Sequence, residues 1–194
     1  MISVLHCPEQ VGNNPVVLSK FEKELGLYSI CVSERDNPYG TPPDQLLNKN
    51  NSGLCLTELY RLMLIFKASA WDGVVHLNNG RFITPFFGDS PHPKELALPK
   101  PYRKAIRLYA RLLLLTEKVM YGVRSDRKAI FVTFQGSDAR ETKCFLNKYQ
   151  DNGLADSIIS RSGKSNHSIR LKKRLLVDVA DKIYSLNPDL LEVL

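Results

Sequence analysis

Three features of the sequence predict an α/β fold built on a parallel sheet with helices on both faces. Short apolar, β-branched runs recur near residues 2–6, 28–33, 72–77, 129–134 and 182–186, and the run at 129–134 shows no alternation, as expected of a strand buried on both sides. Segments of helical period separate these runs, so the order is strand, helix, strand from the start. Polar turn formers follow the strands, most clearly Gln135-Gly136-Ser137-Asp138, where a glycine permits a tight turn and an aspartate can cap the next helix. In open parallel sheets ligands bind outside the carboxyl ends of the strands, which puts Gln135 to Arg140 where chemistry is expected.

The first strand leads into CPEQVGNNP, a run of turn formers ending at Pro15, a suitable first residue for a helix. That helix is predicted to reach Leu25, with Val17, Leu18, Phe21 and Leu25 on its core face and Gly26 ending it. The loop contains Gly12 and Asn13 but no GxGxxG, so a dinucleotide fingerprint is absent. Gly12 is equally well explained as a plain turn glycine or as a point of close backbone approach to a ligand. Residues 34–52 are polar and hold three prolines, predicting a long surface loop.

A second helix is expected over 54–68, followed by the strand DGVVHL. Its His76 falls near the same sheet edge as Gln135, as a site residue or as a histidine satisfied by backbone hydrogen bonds. Residues 81–101, rich in proline, form a lid or a crossover. Tyr102 to Met120 predicts a helix with Ile106, Tyr109, Leu112, Leu113 and Val119 on an apolar side. Arg103, Arg107 and Arg111 run along another side, either as a solvated face or as a face for an anionic lipid or ligand. Further helices are predicted over 139–149 and 167–180, the latter with Leu171, Leu175 and Val179 toward the core and the basic run Arg170, Lys172, Lys173 and Arg174; another begins at Asn187-Pro188-Asp189.

At 194 residues, with 43% apolar and 24% charged side chains, the chain is expected to be one globular domain. Residues 1–99 carry 8 basic and 10 acidic side chains, residues 100–194 carry 19 and 10, so the halves sit at −2 and +9. The second half therefore favours an anionic partner. Cys7, Cys31, Cys55 and Cys144 stand singly, without CxxC or Cys-His spacing, which predicts reduced thiols and no metal site. The first residues lack a basic leader, and no apolar run is long enough to span a bilayer, so a cytoplasmic location is expected. Basic residues are not interleaved with aromatics on a platform, which argues against nucleic acid.

VLHCPEQVGNNP, ELGLYSICVS, DGVVHLNNG, FVTFQGSDAR and DVADKIYSLNPDLLEVL resemble, in this order, the N-terminal half of family 4 glycosyltransferases. The likeness spans nearly the whole chain and implies a Rossmann-like domain that is one half of a GT-B fold. It further implies the acceptor side of an enzyme moving a sugar from a nucleotide-sugar co-substrate, without other cofactor, to a glycan or lipid-linked acceptor. Residues 1–194 then correspond to the acceptor-side domain, the donor-binding domain with its paired glutamates being absent and the chain alone inactive. By position, Gly12, Asn13, His76, Gln135, Gly136 and Asp138 would face the interdomain cleft, with Arg140 as a ligand contact or a surface ion-pair partner and Asp138 also readable as a simple helix cap. Gln135 stands where many members have histidine; its amide can donate and accept hydrogen bonds but cannot act as a general base. No catalytic residue is assigned. The competing expectation is a non-catalytic basic module docking on an anionic membrane at its inner face, on a glycan or on a partner chain.

Overall fold

The computed structural model describes residues 2–8, 14–34, 41–47, 54–84, 99–123, 126–135 and 166–185. Among them the elements are β1 (Ser3–Cys7), α1 (Asn14–Glu24), β2 (Tyr28–Ser33), β3 (Gln45–Leu46), α2 (Leu54–Ser69) and β4 (Val74–Leu77), then α3 (Lys100–Gly122), β5 (Ala129–Phe134), α4 (Asn166–Val177) and β6 (Lys182–Ser185). The helices predicted over 139–149 and from Asn187 lie outside the described residues.

The strands form one six-stranded sheet in the order β3-β2-β1-β4-β5-β6, and every pairing is parallel. The fold is therefore α/β and Rossmann-like, with the sheet order reversing between β1 and β4. The five predicted strands are present within two residues. The sixth, β3, lies inside the stretch expected to be only a surface loop. Two residues long, it is held to β2 by a short ladder and by Asp44, whose Oδ2 accepts the Cys31 N–H at 2.8 Å. A strand that short leaves no periodicity to read.

Alternate side chains separate the sheet's faces. Leu5, Cys7, Val75, Leu77, Ile130 and Val132 point into an apolar core that α2 closes with Leu64, Ile65 and Ala68 and α3 closes with Leu113, Leu114 and Tyr121. His6, Ser29, Cys31, His76 and Thr133 occupy the other set of positions, and α1 lies against β1 and β2. The buried residues of α1 are Pro15, Val16 and Ser19; Val17, Leu18, Phe21 and Leu25 are exposed, the reverse of the expected core face. The reason is the sheet face beneath, which carries polar groups that Ser19 and Glu22 must meet. On α3, Leu113 is buried as expected, but Tyr109, Leu112 and Val119 are exposed. On α4, Leu176 reaches the core, as does Val179 in the turn just past its end; Leu171 does not, and Lys172 of the basic run is buried.

Candidate functional site

The sheet order places the crevice of interest outside the carboxyl ends of β1 and β4. There Asn78 is 2% exposed and its Nδ2 donates long hydrogen bonds to the carbonyls of Cys7 and His76, 3.5 and 3.4 Å, so one amide spans the two diverging strands. Asn79 follows in left-handed backbone, φ 58°, a conformation asparagine tolerates better than most residues. At the end of β2, Glu34 donates its N–H to the Pro8 carbonyl at 2.8 Å, and its carboxylate pairs with the Arg61 guanidinium, which also holds Glu58. Arg61 is 6% exposed, and its two carboxylates outweigh the cost of burial and raise its pKa. Glu34 is thus occupied by a protein cation at the edge where an acidic residue could otherwise meet a ribose.

Gln135 follows β5 and is half-buried at the same edge. Gly12, Asn13, Gly136, Asp138 and Arg140 lie outside the described residues. His76 does not stand on the rim. It pairs in register with Phe131, so Gln135 lies four residues further along the adjacent strand, ~13 Å at the rise of a β-strand. The imidazole points into the sheet's polar face, and its partners are side chains, not the backbone groups of the plain alternative.

That face carries a chain of hydrogen bonds across four parallel strands. Thr133 Oγ1 lies 2.6 Å from His76 Nε2, His76 Nδ1 lies 3.0 Å from His6 Nδ1, and His6 Nε2 lies 2.8 Å from Glu22 Oε2. Ser29 Oγ also donates to Glu22 Oε2 at 2.7 Å and lies 2.9 Å from Ser19 Oγ, which reaches Asp44 at 3.5 Å. Lys23 Nζ closes the series on Asp44 Oδ1 at 2.6 Å. Burial pushes the Glu22 carboxyl up, but the His6 and Ser29 hydrogen bonds outweigh it and hold its pKa below the ordinary value. An ionised Glu22 accepts only, so His6 Nε2 carries hydrogen. His6 Nδ1 and His76 Nδ1 share a single hydrogen, and His76 Nε2 pairs with the Thr133 hydroxyl.

Burial, followed by the neighbouring His6, lowers the His76 pKa to about 3, so its ring stays neutral at ordinary pH. His6 is fully buried and Thr133 is 7% exposed. The chain therefore orders the sheet from within and presents no open face to a substrate. Among the described residues no group of three or more His, Cys, Asp or Glu could hold a metal ion, and no helix is long and apolar enough to cross a membrane. Among the described residues a cavity of about 450 Å³ is lined by Ser3, Asp72, Gly73, Arg127 and neighbours at the amino edge of the sheet, the opposite side from the ligand edge of such folds.

His6, Glu22, Thr133 and Asn78 were not marked as site residues by the sequence. Thr133 and His6 interrupt otherwise apolar runs, and a polar residue inside a buried strand is the signal that points to a partner. Fold and edge chemistry together define a Rossmann-like α/β protein. No protein-family model, curated protein or solved structure matches the chain.

Proposed function

We propose that this chain is the acceptor-side half of a glycosyltransferase that moves a sugar from a nucleotide-sugar to a glycan or lipid-linked acceptor. The observation that carries the reading is the strand order, 3-2-1-4-5-6 and all parallel. It brings the carboxyl ends of β1 and β5 to one edge of the sheet, on either side of β4, and the segments that follow those two strands begin there. Those are the two segments through which the resemblance to family 4 glycosyltransferases assigns acceptor contacts. Gln135, half-buried at this edge, carries an amide of the kind that donates and accepts toward sugar hydroxyls. Transfer itself needs stabilisation of a departing nucleoside diphosphate, which in this reading comes from a second Rossmann domain.

The test is ligand-observed NMR of the purified chain with a panel of oligosaccharides and nucleotide-sugars. Saturation transfer from protein to glycan, reduced in Gln135→Ala, with no turnover of any nucleotide-sugar, is the expected result. Turnover by the purified chain that a substitution within it abolishes would overturn the division of labour, and absence of any glycan contact would overturn the acceptor assignment.

A further inference from the structure

Helix α3 carries two apolar stripes, and only one of them is used by the core. Ala110, Leu113, Leu114, Glu117 and Tyr121 are buried against the sheet. Leu108, Leu112, Leu115 and Val119 follow the spacing of a second stripe and stand about half a turn away around the helix. All four are more than half exposed. Helix α2, which packs beside α3, repeats the arrangement. Its Leu64, Ile65 and Ala68 are buried, while Leu59, Met63 and Phe66 on the opposite side are each more than half exposed. Two neighbouring helices thus turn large apolar side chains outward from the same layer, an uncommon way for a protein to meet water.

The charge beside these stripes indicates what meets them. Lys104, Arg107 and Arg111 are exposed and lie along one flank of α3, about a quarter turn from the Leu108–Val119 stripe. The helix has a single acidic residue, Glu117, and that one is fully buried, so the helix itself adds basic and apolar side chains but no carboxylate to its solvent side. An apolar stripe flanked by lysine and arginine suits a helix lying in the plane of an anionic bilayer, its apolar side chains among the acyl chains and its basic groups among the headgroup phosphates. At 23 residues α3 offers roughly 35 Å of such contact. A second copy packed antiparallel through this face would bring the two basic flanks to one side of the interface, where like charges repel.

We infer that the outer faces of α2 and α3 form a docking surface for an anionic lipid bilayer. This inference is carried by the helix surfaces and does not rest on glycosyl transfer.

The experiment is flotation of the full chain with vesicles of phosphatidylglycerol and phosphatidylcholine, compared with phosphatidylcholine alone. Binding is expected only to the anionic vesicles, and it weakens as salt shortens the Debye length toward about 3 Å at molar ionic strength. Arg107→Gln and Arg111→Gln each lower the partition coefficient about fivefold, the effect of one basic group at such a surface. Leu112→Glu lowers it by more than about tenfold, because a carboxylate then faces both acyl chains and phosphates. Leu112→Trp provides a second readout: its emission shifts to the blue on anionic vesicles and is quenched by brominated acyl chains. Circular dichroism of each variant establishes that it is folded.

Absence of binding by folded wild-type chain would overturn the inference, as would binding indifferent to Leu112→Glu. Concentration-dependent dimerisation that Leu112→Glu abolishes, without vesicle binding, would assign the surface to a second copy instead.

Discussion

His6 and His76 face each other Nδ1 to Nδ1 at 3.0 Å across the β1–β4 ladder, where the strand order reverses. Only one hydrogen can lie between those two nitrogens, so the pair has one donor and one acceptor and resists taking up a second proton. The consequence is a stability that depends on pH. Above about pH 6.5 His76 is neutral whether the chain is folded or not. Below it the unfolded chain binds a proton that the folded chain, with a His76 pKa of about 3, refuses, so stability falls as pH falls across that window. From pH 6.5 to 5 the expected loss is about 2 kcal/mol. Glu22, held below its ordinary pKa, adds a further loss at still lower pH. Urea melts at pH 7, 6 and 5 measure this, and His76→Asn flattens the slope between pH 6.5 and 5 while lowering stability at pH 7. An unchanged slope in that variant would remove His76 as its source.

Gly73 and Gly26 separate two reasons for a glycine. Gly73 has φ +138°, and a Cβ there would lie 2.2 Å from the Ser3 carbonyl oxygen, so β4 starts pressed against β1. Gly26 has φ +81° with open space around it. Gly26→Ala is expected to cost about 1 kcal/mol, the left-handed penalty alone. Gly73→Ala costs more, on the order of 3 kcal/mol, because the backbone of β1 must also move. Thermal melts of the two variants side by side decide it, and equal effects would mean that β1 yields freely.

Glu117 is fully buried and accepts the backbone N–H groups of Ile83 and Thr84, 2.8 Å each, one on each oxygen. Burial raises its pKa and these hydrogen bonds partly offset the rise. Glu117→Ala leaves both amides buried without an acceptor, an expected loss of roughly 3–5 kcal/mol. Glu117→Gln keeps one acceptor and turns its amide nitrogen toward the other N–H, so it falls between alanine and wild type. Chemical denaturation of the three proteins gives the ranking, and a glutamine variant as stable as wild type would contradict the two-acceptor geometry.

Cys7 and Cys31 are free and buried. Burial pushes the Cys31 thiol up to about 12, and burial followed by Glu117 raises that of Cys7 well above the usual value. Neither is expected to react with a thiol reagent in the folded chain on the timescale of exposed cysteine, and mass spectrometry after mild denaturation should show both becoming labelled.

The strands were legible because burial on both faces writes itself as a run of apolar and β-branched residues without alternation, as in Ala129 to Phe134. What was not legible shares one cause: the sequence shows period without showing direction. α1 has a good apolar stripe at Val17, Leu18, Phe21 and Leu25, yet the helix is turned so that Ser19 and Glu22 meet Ser29 and His6. Two hydrogen-bonding residues on neighbouring strands, Ser29 and His6, set the rotation, and no local pattern on the helix records them. α3 has two stripes, and periodicity alone could not say which one the sheet would take. His76 was placed at the right strand end, but its direction depended on His6 and Thr133, which lie 70 and 57 residues away in sequence.

The bond from Glu117 to the chain at Ile83 and Thr84 also governs how load passes through the protein. A carboxylate gripping two successive amides is stiff in tension and in shear, whereas apolar side chains in contact can slide. Any push on the outer side of α3 therefore reaches the main chain six residues beyond the end of β4 directly, with little lost in the packing between. Ile83 and Thr84 are thereby anchored on the helix, and displacement of one is displacement of the other.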